Sequence, residues 1–210
     1  MAATKPKNDL WANVTASIGN NLLSFVIMII IFIVIWLIFG AIFGALAGYG
    51  GIVGAAIFSA IGAAITSVIT LWFSASLYEM CDSIIAKKSV EFASNLETGF
   101  NRAMKKQNVL VAVAVIGFVG ALIGALLGNG IIGLLVRGLF MAAVLGIALV
   151  AFTKNGKLNF TGTFNAVNRA SSNSGLFLYL TVIVMIIPIV QLLALIMAPV
   201  CVMILDMSKE

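Results

Sequence analysis

Histidine is absent from the 210-residue chain, and with it the commonest general base and the commonest metal ligand. Charge is scarce: 9% of residues are Asp, Glu, Lys or Arg, against roughly 25% in an average soluble domain. With 62% of the chain hydrophobic, a soluble core of this size could not hide the apolar surface, and the excess must face lipid. There are two cysteines, Cys81 and Cys201. Lying far apart beside apolar runs, they read as small buried hydrophobes rather than a disulfide or metal pair. The net charge of +5 comes from small clusters, which speaks against nucleic acid as a partner. Phosphate loops, nucleophile elbows, CxxC pairs and carboxylate pairs within a span are missing too. The sequence therefore nominates no catalytic residue, cofactor or metal set, and the expectation is a non-enzymatic protein.

What the chain does have is long apolar runs. A helix needs about 20 such residues to cross the hydrocarbon core. Leu22–Leu46, Ile52–Tyr78, Val109–Leu127 and Ile131–Phe152 each qualify. Leu176–Leu205 is a fifth run, interrupted by Pro188, Gln191 and Pro199. It is long for one span and short for two. The expectation is an all-α integral membrane protein with five transmembrane helices. The alternative is a sixth, with the last run folded into a short hairpin or re-entrant pair at Pro188. Asp9, Asn13, Asn20 and Asn21 separate Lys5 and Lys7 from the first run, so that run reads as a retained helix rather than a cleaved signal.

Basic residues orient the spans. Lys5, Lys7, Lys87, Lys88, Arg102, Lys105, Lys106, Lys154, Lys157 and Arg169 fall on one side, ten of the twelve Lys and Arg. The turns near Tyr49 and Asn129 carry no charge. The N-terminus and the basic loops are thus expected in the cytoplasm and the chain in the cell membrane, with the lipid bilayer as its first partner. The glycosylation triplets Asn13-Val14-Thr15 and Asn159-Phe160-Thr161 fall on the same side and read as chance.

The chain also repeats itself. Residues 40–50 and 120–130 share seven of eleven positions, and Asn101-Arg102-Ala103 recurs as Asn168-Arg169-Ala170. Before the first, third and fifth spans, apolar residues recur at helical spacing: Leu10, Val14 and Ile18; Phe92, Leu96, Phe100 and Met104; Phe160, Phe164 and Val167. Each set is one stripe of an amphipathic helix, expected to lie in the cytoplasmic membrane interface. Ser94 and Glu97 have capping-box spacing, and Trp11 suits the interfacial aromatic belt. Three parallel units follow, about residues 8–86, 87–153 and 154–210, each an interfacial helix plus a hairpin, the third compressed.

This layout, carried by the Asn-Arg-Ala segments, the amphipathic helices and the glycine hairpins, resembles uncharacterised prokaryotic multi-pass families, often archaeal. In outline it is similar to the membrane domain attached to some glycerophosphodiester phosphodiesterases. The resemblance covers most of the chain as layout. It implies the helical membrane fold, and transfers no functional residue because those families carry no agreed ones.

Several residues remain as site candidates. Gly40, Gly44 and Gly48, like Gly120, Gly124 and Gly128, form a glycine zipper that lets helices approach closely. The contact could be with a second copy, with another membrane protein, or within a hairpin. Arg137 is the one charge well inside a span, six residues past Ile131, or about 9 Å from the outer end. Such an arginine costs about 2.5–3.5 kcal/mol to insert. It either snorkels to lipid phosphates or marks a substrate path. Ser59, Thr66, Thr70 and Ser74 place hydroxyls on one face of the second span, where they line a polar path or bond back to helix carbonyls. Gln191 sits beside the proline breaks. Three roles stay open: a membrane scaffold or accessory subunit, a small channel or transporter built around Arg137, and a lipid-handling enzyme, for which the sequence offers no catalytic groups.

Overall fold

The computed structural model describes residues 9–49, 51–128, 130–153, 158, 161–163, 165, 172–187 and 190–207. These residues are almost wholly helical, with no strand among them. The helices are α1 (Asp9–Asn20), α2 (Leu22–Tyr49), α3 (Gly51–Ile85), α4 (Phe92–Lys105), α5 (Gln107–Leu126), α6 (Ile131–Val150), α7 (Ser172–Val184) and α8 (Gln191–Met207). Four of them, α2, α3, α5 and α6, are long and apolar enough to cross a membrane.

Antiparallel hairpins α2–α3 and α5–α6 form the frame, and α3 is its axis, touching α2, α4, α5, α6 and α8. Turn chemistry makes the hairpins tight. Gly51 (φ 61°) and Gly128 (φ 83°) adopt left-handed backbone, which costs other residues about 1–2 kcal/mol. The bundle closes along α5 because Gly117 lacks a side chain: a Cβ there would lie 2.7 Å from the Ala63 carbonyl oxygen of α3.

The core is concentrated at one end. Leu71, Phe73, Leu77, Tyr78 and Met80 of α3, Leu145 and Leu149 of α6, and Val202–Leu205 of α8 are buried there. Tyr78 is fully buried and donates to the Leu149 carbonyl at 2.7 Å. At the other end large apolar side chains stand exposed, among them Leu46, Ile52, Leu126 and Ile131. Exposure on that scale in water would drive aggregation, and in lipid it is the solvated state.

The last apolar run corrects the expectation of one long fifth helix. It is two helices of 13 and 17 residues. The break follows Val184: the amides of Met185, Ile186 and Ile187 bond three residues back instead of four. Proline lacks the N–H that would continue the ladder and disfavours helix in the residue before it, so Pro188, itself outside the described residues, is the sequence cause. Pro199, by contrast, is accommodated inside α8. The two helices pack on each other, with Thr181 Oγ1 3.1 Å from Cys201 Sγ. Gln191 Nε2 donates to the Met185 carbonyl at 3.1 Å and stitches the tip of the hairpin.

Two of the amphipathic stretches are helices, α1 and α4; the third, at Phe160, Phe164 and Val167, lies outside the described residues, as does Arg169. In α1 the stripe faces protein. Val14 is fully buried, and Trp11 packs edge-on against Phe177 at 5.9 Å. Trp11 is half-buried in this contact. In α4 the buried face is Asn95, Gly99 and Ala103. The predicted stripe is displaced from it: Phe92 and Leu96 are half-buried, while Phe100 and Met104 are 46% and 45% exposed. Small residues win the inner face because α4 crosses α3 closely: a Cβ on Gly99 would lie 2.7 Å from backbone atoms of Ser76. The capping box is also corrected. Glu91 is the N-cap, without a side-chain cap bond, and Ser94 lies inside the first turn. The residue before the helix, not the serine, takes the extended conformation that starts it.

Candidate membrane-embedded polar cleft

The α7–α8 hairpin explains where a site can exist. At 1.5 Å per residue, α7 and α8 are about 20 and 26 Å long, against about 52 Å for α3. The hairpin packs beside the densely buried end of α3 and stops part-way. Above its tip, α2, α3, α5 and α6 enclose space that no side chain fills.

That space is a cleft of about 240 Å³. Arg137 of α6, Ser59 and Thr66 of α3, Trp36 of α2 and Gln191 at the hairpin tip all line it. Four candidates from three helices thus meet at one place. Gly124 provides the berth for the arginine stem. A Cβ there would lie 2.8 Å from Arg137 Nε and 2.9 Å from the Gly133 carbonyl oxygen. Gly138 does the same for the hairpin tip, since a Cβ on it would lie 2.7 Å from the carbonyl carbon of Ile186.

The hydroxyl face divides. Thr66 donates to the Ala63 carbonyl at 3.0 Å and Thr70 to the Thr66 carbonyl at 2.9 Å. Their protons are spent on the helix, so toward the cleft Thr66 offers lone pairs. Thr70 lines a smaller apolar recess beside the hairpin, which shares Trp36 and Gln191 with the main cleft. Ser74 is fully buried below both, and its hydroxyl has no hydrogen-bond partner among the described residues. The four hydroxyls therefore form no continuous path. Phe32, Phe73 and Met185 close the space toward the buried end.

The two glycine motifs have different fates. Gly120 is filled by Phe140, with a Cβ falling 2.9 Å from Phe140 Cδ1, and Gly124 by Arg137. Gly128 serves the turn. Gly40, Gly44 and Gly48 meet nothing within 4 Å, so packing inside the hairpin does not account for them.

One charged cluster was not singled out from sequence. At the buried end Arg102 bonds Glu79 at 2.7 Å, lies 3.5 Å from Asp82, and donates to the Phe152 carbonyl at 3.3 Å. Lys106 donates to the Ala151 carbonyl at 2.5 Å. Both cations sit within about 6 Å of the Phe152 ring. The carbonyls they bond directly follow the last residue of α6, where the helix dipole favours positive charge. Burial, and secondarily the Arg102 charge, lowers the Lys106 pKa from its ordinary 10.5. The signal was present in the Asn-Arg-Ala triplet and in two carboxylates three residues apart on α3, yet only folding brings 79, 102 and 152 together.

No protein-family model, curated protein or solved structure matches this chain. Its chemistry must be read from the cleft. Arg137 is the sole ionised side chain among the lining residues. In surroundings this apolar a positive charge is poorly screened. Gln191 and Ser59 line the same cleft. Such a set can hold one anionic group and bond its neighbouring polar atoms.

Proposed function

We propose that this is a non-enzymatic membrane protein whose working site is the Arg137 cleft, where it binds a small anion or the anionic head of an amphiphile. The convergence of Arg137, Ser59, Thr66 and Gln191 above the tip of the α7–α8 hairpin carries this reading. An arginine well inside a span is costly, and here the fold provides a berth, polar neighbours and empty volume around it. The same reading gives the chain four spans and one re-entrant hairpin, with the N-terminus, the basic loops and the end of α8 on the cytoplasmic side and α1 and α4 at that interface. The cleft then opens away from the cytoplasm, and the hairpin tip closes its inner end. This is the arrangement of a one-sided binding site, from which a transporter is built by moving the hairpin.

Trp36 lines the cleft and reports on it. With Trp11 and Trp72 replaced by Phe, the remaining fluorescence is quenched by iodide, an anion, and by acrylamide, which is neutral. Iodide is expected to quench saturably, and Arg137→Gln to abolish saturation while leaving acrylamide quenching unchanged. Equal response of both proteins to iodide refutes the site. Iodide uptake into proteoliposomes then separates transport from binding alone.

A second reading is favoured by one observation. The open Gly40, Gly44 and Gly48 face of α2 suits an accessory or scaffold role, in which α2 packs on another membrane helix.

A further inference from the structure

An anion held at Arg137 is either free or the head of a larger molecule, and the space beside the cleft separates the two cases. That space is the apolar recess on the far side of Trp36 and Gln191, the two residues it shares with the cleft. α2 contributes Phe32 to its wall, α3 Ile69 and Phe73, and α8 Leu192 and Leu195. It holds about 20 Å³, against about 240 Å³ in the cleft, which is room for one water-sized group at a time.

The polar groups of the recess are already engaged. The Thr70 hydroxyl donates to the Thr66 carbonyl at 2.9 Å, and the Gln191 amide nitrogen donates to the Met185 carbonyl at 3.1 Å. A polar occupant would gain little there, whereas a methylene chain leaves no hydrogen bond unmade. The wall is also braced. The Phe32 ring packs on those of Phe73 and Trp72, with centroids 4.7 and 5.0 Å apart, which keeps the passage narrow. Leu192 is 47% exposed, so the recess reaches the lipid-facing surface along the seam between α2 and α8.

We infer that the ligand of the cleft is a single-chain anionic amphiphile, with its head at Arg137 and its one unbranched tail threaded through the recess between α2 and α8 toward lipid. This rests on the Arg137 cleft being an anion site. A guanidinium pairs with carboxylate or phosphate alike, so the head is one of these two. The recess sets the tail: a second chain or a ring is wider than the passage.

Trp36 lines both spaces, so the protein with Trp11 and Trp72 replaced by Phe reports on both when placed in phosphatidylcholine nanodiscs. Acetate, octanoate, octyl phosphate, octan-1-ol and dioctanoylphosphatidic acid are titrated against its saturable iodide quenching. Each buried methylene can supply about a fourfold gain in affinity. Octanoate, octyl phosphate or both are expected to displace iodide at concentrations roughly a hundredfold below acetate, and the stronger of the two names the head. Octan-1-ol, which has the tail without the charge, should not compete. Leu195→Phe, which fills the recess, should weaken displacement by the stronger octyl competitor about tenfold and leave acetate and iodide unchanged. The amphiphile enters the bilayer equally with either protein, so this difference reports the recess. Should Leu195→Phe fail to fold, Leu192→Phe, at the exposed edge of the same wall, decides by the same criterion. Iodide quenching that never saturates overturns the cleft and the tail site together. With saturable iodide quenching, the tail site alone is overturned if neither octyl anion outcompetes acetate, if octan-1-ol competes as well as they do, or if the filled variant keeps the parent midpoint. Dioctanoylphosphatidic acid competing as strongly as octyl phosphate overturns the single chain.

Discussion

Substituting alanine at repeat-equivalent glycines should give effects of opposite sign. Gly44 and Gly124 are equivalent, as are Gly40 and Gly120, at an offset of 80. Each is a helical glycine, and on propensity alone Gly→Ala favours the helix by about 1 kcal/mol. At Gly40 and Gly44 nothing lies within 4 Å of the new Cβ, so the propensity gain stands nearly whole. At Gly120 the new Cβ overlaps the Phe140 side chain, whose Cδ1 would be 2.9 Å away with nearer atoms inside that. Carbon atoms prefer about 3.5–4.0 Å, so α5 and α6 must part by roughly 1 Å or Phe140 must leave its rotamer. Overpacking of this kind costs about 1–3 kcal/mol. Less the propensity gain, Gly120→Ala should destabilise by about 1 kcal/mol, whereas Gly40→Ala should stabilise by about as much. Steric-trapping measurements in bicelles resolve such differences. Equal effects of the same sign at both positions would refute the assignment of open and filled faces. Destabilisation by Gly40→Ala together with a drop in particle mass would show that the α2 face is covered by a second copy, which is the outcome the scaffold reading expects.

Three further outcomes follow from the buried end. In a double-mutant cycle, Arg102→Gln and Glu79→Gln should couple by about 1 kcal/mol, because the pair is only partly exposed and also anchors α6; purely additive effects would remove it from the account. Tyr78→Phe, which strands the Leu149 carbonyl, should cost about 1–2 kcal/mol in the same assay, and a neutral result would dissolve that link between α3 and α6. The Lys106 amine, followed by NMR of labelled lysine, should titrate below 10.5 and move upward in Arg102→Gln. Because its folded pKa is lowered, the unfolded chain holds the extra proton between that value and 10.5, so stability should rise with pH across the window; a midpoint at the ordinary value in both proteins would contradict the cause assigned.

Much of the frame is written locally. Long uncharged runs require lipid as solvent, and the apolar lengths locate α2, α3, α5 and α6 within a few residues at most ends; α3, which continues past Tyr78 to Ile85, is the exception because its last turns are held by Arg102 rather than by lipid. Glycine spacing announced close approach and the hairpin turns. What covers each glycine could not be read, since identical residues at 44 and 124 meet open space in one case and an arginine in the other. A periodic stripe likewise says that one face of α4 is apolar, but not that Gly99 will place the opposite face against Ser76.

From sequence alone came the solvent, the helices, their approximate ends and the short list of polar residues that lipid would not tolerate without reason. Those properties follow from the transfer energies and backbone limits of single residues. The tertiary structure decided that the last run turns back part-way, and that this shortfall leaves a void in which Arg137, Ser59, Thr66 and Gln191 meet. Voids and meetings of this kind depend on how elements of unequal length pack, which no single stretch of chain encodes.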